Sequence, residues 1–197
     1  LVSMVPELRK YCELECKDIM QLDGTNVQPE DWVTIAEEVY DAQEAYDGVI
    51  ITHGTDTMAY SACAVSLMVQ NLQKPVIFTG AQIAMIDPDT DGKKNLLDAV
   101  HAAVSGIPGV YVVFGGRIIR GIRAQKMYTR ALDAFHSINA GDAGYVQDGE
   151  VFLNQSIPTP VGAPVLDTRL EPKVVQLKLL PGIEPKQLES MLGMGYY

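Results

Sequence analysis

Cations, cysteines and long apolar runs are all scarce in this sequence. Fifteen Lys and Arg residues stand against 25 Asp and Glu, for a net charge of −10. That balance argues against a nucleic-acid-binding or anionic-membrane surface, since both depend on basic patches. No apolar stretch approaches the ~20 residues that a membrane-spanning helix needs. The opening residues, Leu1-Val-Ser-Met-Val-Pro-Glu7, carry neither the basic region nor the apolar core of a secretory signal. The three cysteines are Cys12, Cys16 and Cys63, an odd count with Cys63 inside an apolar segment. They read as reduced, buried thiols of a cytoplasmic protein and not as a disulfide framework. Cys12 and Cys16 would share one face of a strand, yet no second Cys/His pair at metal-binding spacing accompanies them. His53, His101 and His136 stand alone, so neither metal nor cofactor is expected. An apolar fraction of 47% over 197 residues nevertheless suffices for one globular domain, or one and part of another.

What is present is alternation of strand and helix patterns. Pro29-Glu-Asp-Trp32 opens a helix with Pro in its first turn and acids where the macrodipole favours them. Trp32, Ile35, Ala36, Val39 and Tyr40 then form an apolar stripe. The run Gly48-Val-Ile-Ile-Thr52 suits a buried parallel strand, and Met58 to Gln70 a helix apolar nearly all round and hence deeply packed. Pro75–Thr79 and Gly109–Phe114 are further strands, with a helix over Lys94–Ser105 between them. Tyr11 to Asp18 is a candidate earlier strand. Gly115-Gly116 reads as a turn and not as a phosphate loop, because no GxGxxG or Walker lysine follows a strand. Short strand–helix–strand connections imply right-handed βαβ units. The expected class is therefore α/β: a mostly parallel, Rossmann-like sheet with helices on both faces.

Beyond Phe135 the character changes. Gln147-Asp-Gly-Glu150 between apolar pairs is a hairpin signal. Residues 154–172 hold four prolines and read as an extended, solvent-facing linker. Lys173–Leu180 then reads as a strand and Glu184–Leu192 as a helix, the start of a second, smaller α/β domain. The predicted organisation is a first domain over 1–153, the linker, and the opening strand and helix of another domain over 173–197. Both ends look cut.

Candidate chemistry gathers where strands end. Thr55 and Asp56 follow one strand, and Thr79-Gly-Ala-Gln82 follows the next. Asp91-Gly92 and Asn95 bracket a helix start, and Lys126 lies beyond the third strand. The carboxyl ends of parallel strands open on one edge, so loops distant in sequence can meet there. A threonine hydroxyl needs a nearby base, a lysine amine can be that base, and a carboxylate can orient the lysine or bind a substrate ammonium group. Such a set suits acyl transfer from an amide. Taken singly, Thr55-Asp56-Thr57 reads as a helix cap. Lys126, in a stretch with Arg117, Arg120 and Arg123, reads as a solvated basic face. Residue chemistry alone supports only a ligand site at the strand ends.

The segment His53-Gly-Thr-Asp-Thr-Met58 resembles the second signature of the L-asparaginase/glutaminase family. The surrounding Asp47–Tyr60, Gln28-Pro-Glu-Asp-Trp32, Lys74–Gln82, Asp91-Gly-Lys-Lys-Asn-Leu96 and Asp133-Ala-Phe135 resemble its cytoplasmic, type I branch in order along the chain. The resemblance implies hydrolysis of L-asparagine to L-aspartate and ammonia through a threonine acyl-enzyme, without metal or cofactor. It implies that Thr55 is the second catalytic threonine, forming a relay with Asp56 and Lys126. Gly24, Thr25, Gly54, Thr55, Asp56 and Ala81 would bind substrate, and the full-length protein would be a homodimer or homotetramer. The sequence departs from the family in two respects. The TGGTI-like signature with the primary nucleophile is nowhere in it, so the 197 residues alone are expected to be inactive. Gly24 also stands where the family usually has a serine. Two rival readings are the asparaginase-like subunit of glutamyl-tRNA(Gln) amidotransferase, releasing ammonia from glutamine, and a non-catalytic amino-acid-binding module.

Overall fold

The computed structural model describes residues 2–196; Leu1 and Tyr197, the outer limits of the two expected domains, lie outside them. Helix α1 spans Pro29–Ala45, followed by β1 (Val49–Thr52), α2 (Met58–Met68), β2 (Val69–Gln70), β3 (Pro75–Thr79), α3 (Gly92–Val104), β4 (Gly109–Phe114) and β5 (Arg117–Arg120). Strands β6 (Ala124–Lys126), β7 (Phe135–Ser137), β8 (Gly144–Gln147), β9 (Glu150–Leu153) and β10 (Val165–Leu166) precede α4 (Pro185–Gly193). Pro29 occupies the first turn of α1, and the Gln28 amide donates to the Asp31 carboxylate at 2.8 Å, closing a capping box.

Six strands form one sheet in the order β1-β3-β4-β5-β8-β9. The first three are parallel and the later pairs antiparallel. The α/β class is as the sequence predicts, with a mixed sheet. Strand β5 lies within the stretch that reads from sequence as a basic face. Only two residues, Gly115 and Gly116, separate β4 from β5, far too few for a crossover, so the chain must double back. Both glycines take positive φ, as a tight I′-type connection requires, and so do Asp148 and Gly149 between β8 and β9. The predicted Asp-Gly hairpin is therefore present. We expect Gly149→Ala to lower stability by about 1–2 kcal/mol, the cost of left-handed backbone with a Cβ. A lower urea midpoint with an unchanged slope is the check.

Alternate residues of the central strands feed two cores. Val76, Phe78, Val110, Val112 and Phe114 pack with Ile35 and Val39 of α1 and Met58, Ala62 and Val65 of α2. Ile77, Tyr111 and Val113 face the other way, against Ala99 and Ala102 of α3. This period-two split is why those strands read as continuous apolar runs: both faces are covered.

Several local expectations fail. Residues 11–18 form no strand; Cys12 and Leu14 pack beside Leu8, Leu96 and Val100, whereas Cys16 is exposed. The thiols are free, but only Cys12 and Cys63 are even partly buried. Helix α2 is not sheathed all round, since Tyr60 and Leu67 are 65% and 62% exposed, and Tyr40 of the α1 stripe is also exposed. The same helix stops at Met68 because Val69-Gln70 turns into a strand paired with β10. The proline-rich 154–172 segment is thus not wholly solvent-facing. It returns to the body through β10, and the Gln73 amide donates to the Gly162 carbonyl at 3.0 Å. Lys173–Leu180 pairs with no strand among the described residues, and an apolar run without a ladder partner cannot become a strand. The helix predicted after it is present as α4.

Candidate active site

The site lies past the carboxyl ends of β1 and β3, where the parallel half of the sheet opens. Thr55, Asp56 and Thr57 form the turn between β1 and α2, and none of their side chains caps the helix. Each is used elsewhere. Thr55 Oγ1 donates to Gln82 Oε1 at 2.9 Å, and Thr57 Oγ1 donates to the Gly24 carbonyl at 2.5 Å. Asp56 accepts from Lys126 Nζ at 2.7 Å. Reading this triplet as a simple cap therefore fails on geometry.

Lys126 arrives from 71 residues further along the chain and donates to Thr55 Oγ1 at 2.8 Å. It is placed by the short β6–β7 ladder, in which Lys126 is paired with Phe135. Phe135 is fully buried and packs against Phe114 with ring centroids 4.9 Å apart. The lysine side chain is only 13% exposed, whereas the Asp56 side chain is 54% exposed. The arrangement is an anchored cation bridging a hydroxyl and a carboxylate, with the carboxylate open to an incoming ammonium group. Here Lys126 is not part of a solvated face. Its neighbour Arg117 is engaged too, with Asp133 at 2.8 Å and Asp142 at 2.7 Å, and the paired carboxylates push the Arg117 pKa upward.

Of the predicted binding residues, Gly24 and Gly54 are brought together at the turn that carries Thr55 and Asp56, whereas Ala81 lines a separate cavity. Gly24 and Gly54 meet backbone to backbone: a Cβ on Gly24 would come within 3.0 Å of the Gly54 Cα, and one on Gly54 within 2.8 Å of the Gly24 Cα. Only glycine allows that approach. Thr25 is beside them, but its hydroxyl is held by Asp23 at 2.7 Å. Ala81 lines a cavity of about 230 Å³ with His53, Gly80, Met85 and Leu96, whose walls include none of Thr55, Asp56 and Lys126. His53 is structural. Its Nδ1–H donates to the Gly54 carbonyl, its Nε2 accepts from Ser61 Oγ at 2.9 Å, and burial lowers its pKa despite the carbonyl contact.

Asp91, Asn95 and Gln82 hold this edge together. The Asp91 carboxylate accepts from the Gln82 and Ile83 amides, both at 3.0 Å, and from Asn95 Nδ2 at 3.0 Å. Asn95, buried, also donates to the Gly80 carbonyl and accepts from the Gly115 amide, both at 3.0 Å. The part played by the Gln82 side chain is absent from the sequence-based site. A polar residue directly after the predicted β3 turn was the signal that could have raised it. Among the described residues no group of three or more His, Cys, Asp or Glu side chains is arranged to hold a metal ion. None of the described helices is long and apolar enough to cross a membrane.

Comparison with known proteins places this geometry in context. The family profile described as Asparaginase, N-terminal, matches residues 1–159. The chain is 42% identical to an L-asparaginase of Thermococcus kodakarensis over 91% of its own length and 55% of that relative. The solved structure of the thermostable Thermococcus enzyme superposes with a TM-score of 0.89. A glutamyl-tRNA(Gln) amidotransferase subunit of Archaeoglobus fulgidus is 36% identical over the full chain and 49% of its own length. A structure of a probable cytoplasmic L-asparaginase from Campylobacter jejuni, 28% identical, has a TM-score of 0.84 over 99% of this chain and 64% of that one. The chain thus spans about half the length of the curated relatives it matches.

Proposed function

Because the chain belongs to the asparaginase family, we propose that the full-length protein hydrolyses the side-chain amide of L-asparagine, with Thr55, Asp56 and Lys126 as its proton relay. One observation carries this reading: Lys126 Nζ stands within 2.8 Å of Thr55 Oγ1 and 2.7 Å of Asp56 Oδ1. A basic amine beside a hydroxyl is what acyl transfer requires, because a hydroxyl is too weakly acidic to attack an amide unaided. In acylation, a threonine oxygen bonds to the side-chain carbonyl carbon, the C–N bond breaks, and ammonia leaves with the relayed proton. In deacylation, water attacks the ester, aspartate departs, and the hydroxyl regains its proton. Lys126 is the base of the relay: it takes up the proton as the threonine attacks and returns it to the leaving nitrogen, while Asp56 holds its ammonium form.

The half-exposed Asp56 carboxylate also suits the α-ammonium group of the substrate, and the Gly24–Gly54 contact brings the 24–25 segment alongside it. Gly24 supplies backbone only, and its carbonyl is occupied by Thr57. A cytoplasmic location and assembly into a homodimer or homotetramer belong to the same proposal. The free cysteines and the likeness to a probable cytoplasmic enzyme support the location. Ammonia and aspartate released from asparagine by the full-length protein, in equal amounts, are the expected result; binding of asparagine without turnover overturns the reading. The full-chain likeness to the amidotransferase subunit favours a second reading, ammonia release from glutamine for a partner. It predicts a glutaminase rate that rises when the partner and charged tRNA are added.

A further inference from the structure

We propose that Gln82 is a positioning residue that sets the direction of the Thr55 hydroxyl proton and ties it to the loop following Lys126; this rests on the relay described under Proposed function. Both hydrogens of the Gln82 amide nitrogen are committed, to the Thr129 and Ala131 carbonyls at 3.1 Å each. Its backbone amide is held by Asp91. With Nε2 facing two acceptors, the side chain cannot flip, and Oε1 is left toward Thr55 as an acceptor only. In this arrangement the Thr55 hydroxyl therefore donates to Gln82 and accepts from Lys126 Nζ.

A hydroxyl has one proton and two lone pairs. With its proton on Gln82 and one lone pair accepting from Lys126 Nζ, Thr55 Oγ1 keeps a single lone pair free. Gln82 thus holds the oxygen in one defined orientation between two fixed partners, where a freely rotating hydroxyl would sample several. The carbonyls that lock Gln82 belong to residues only three and five positions beyond Lys126. That loop is itself pinned at its far end, where Met127 N donates to the Ala134 carbonyl at 2.7 Å and Asp133 pairs with Arg117. The two halves of the relay, 71 residues apart, are therefore clamped together by one glutamine side chain.

The test is steady-state kinetics of the full-length protein on asparagine with Gln82→Met and Gln82→Glu, each checked for an unchanged melting temperature. Gln82→Met, which fills the space without an acceptor, should lower kcat by about 10- to 100-fold and leave KM within about threefold, the signature of lost orientation. Gln82→Glu, which still offers an acceptor to Thr55 but no donor to the Thr129 and Ala131 carbonyls, should also lower kcat, because the clamp to that loop is lost. In a Thr55→Ser background, where the missing methyl frees the rotamer, Gln82→Met should cost at least about three times more than it does beside threonine. A KM rise at constant kcat overturns the assignment. If both variants keep full kcat while Thr55→Ala is inactive, the relay stands and only the role of Gln82 falls. If the unaltered protein fails to hydrolyse asparagine, the functional reading has failed instead, and the kinetic test is moved to glutamine.

Discussion

Replacing Lys126 by methionine in the full-length protein should lower kcat on asparagine by about 10³-fold, within the range for losing a positioned acid–base group. Methionine fills most of the lysine stem's space but carries no proton, so the fold is spared. The side chain sits almost wholly inside, between the hydroxyl of Thr55 and the carboxylate of Asp56. Its removal strips Thr55 of its nitrogen donor and leaves Asp56 without its cation. KM should change far less than kcat, because Asp56 remains exposed and free to bind an ammonium group. Steady-state ammonia release with a parallel thermal melt makes the measurement. A kcat within about tenfold of the unaltered protein would remove the lysine from the chemistry.

The second large effect is on stability. Phe135→Ala should destabilise the protein by about 3–5 kcal/mol, the usual cost of emptying a fully buried phenylalanine site. The ring is wholly enclosed, stacked obliquely on Phe114, and packed with Met58, Phe78 and Val112 in the main core. For a protein of this size that amounts to a fall in melting temperature of roughly 10 °C. The loss should also reach the site, because Phe135 is the ladder partner of Lys126. Calorimetry on Phe135→Ala and Phe135→Leu separates the two consequences. Leucine recovers part of the core and should recover activity in proportion. A melting temperature unchanged by alanine would show that the β6–β7 ladder is not anchored through this ring.

Much of the fold could be read locally. The strands at 75–79 and 109–114 announce themselves because both faces of each are covered, which demands unbroken apolar runs; 49–52 carries the same pattern, yet as the edge strand it is only partly buried and Thr52 is exposed. The Asp148-Gly149 turn is equally legible, since few residue pairs tolerate two successive positive φ angles. Strand β5 is not, because Arg117 and Arg120 flank the buried Ile118 and Ile119, and the pattern Arg-Ile-Ile-Arg fits a basic surface just as well. Residues 173–180 err in the opposite direction: apolar and β-branched, they carry the composition of a strand but lack a neighbour to pair with among the described residues.

By itself, the sequence determined the residue types of the site, their order along the chain and the family to which the chain belongs. Hydrogen-bonding capacity is local, and a motif such as His53–Met58 is a run of neighbours. Tertiary structure alone decided that Lys126 reaches Thr55 and Asp56, that the Thr55–Thr57 triplet abandons helix capping, and that Gln82 joins the loop at 129–131 to the hydroxyl. These are contacts between segments 27 to 71 residues apart. No period or propensity encodes them, because they exist only once the sheet brings its strand ends to a common edge.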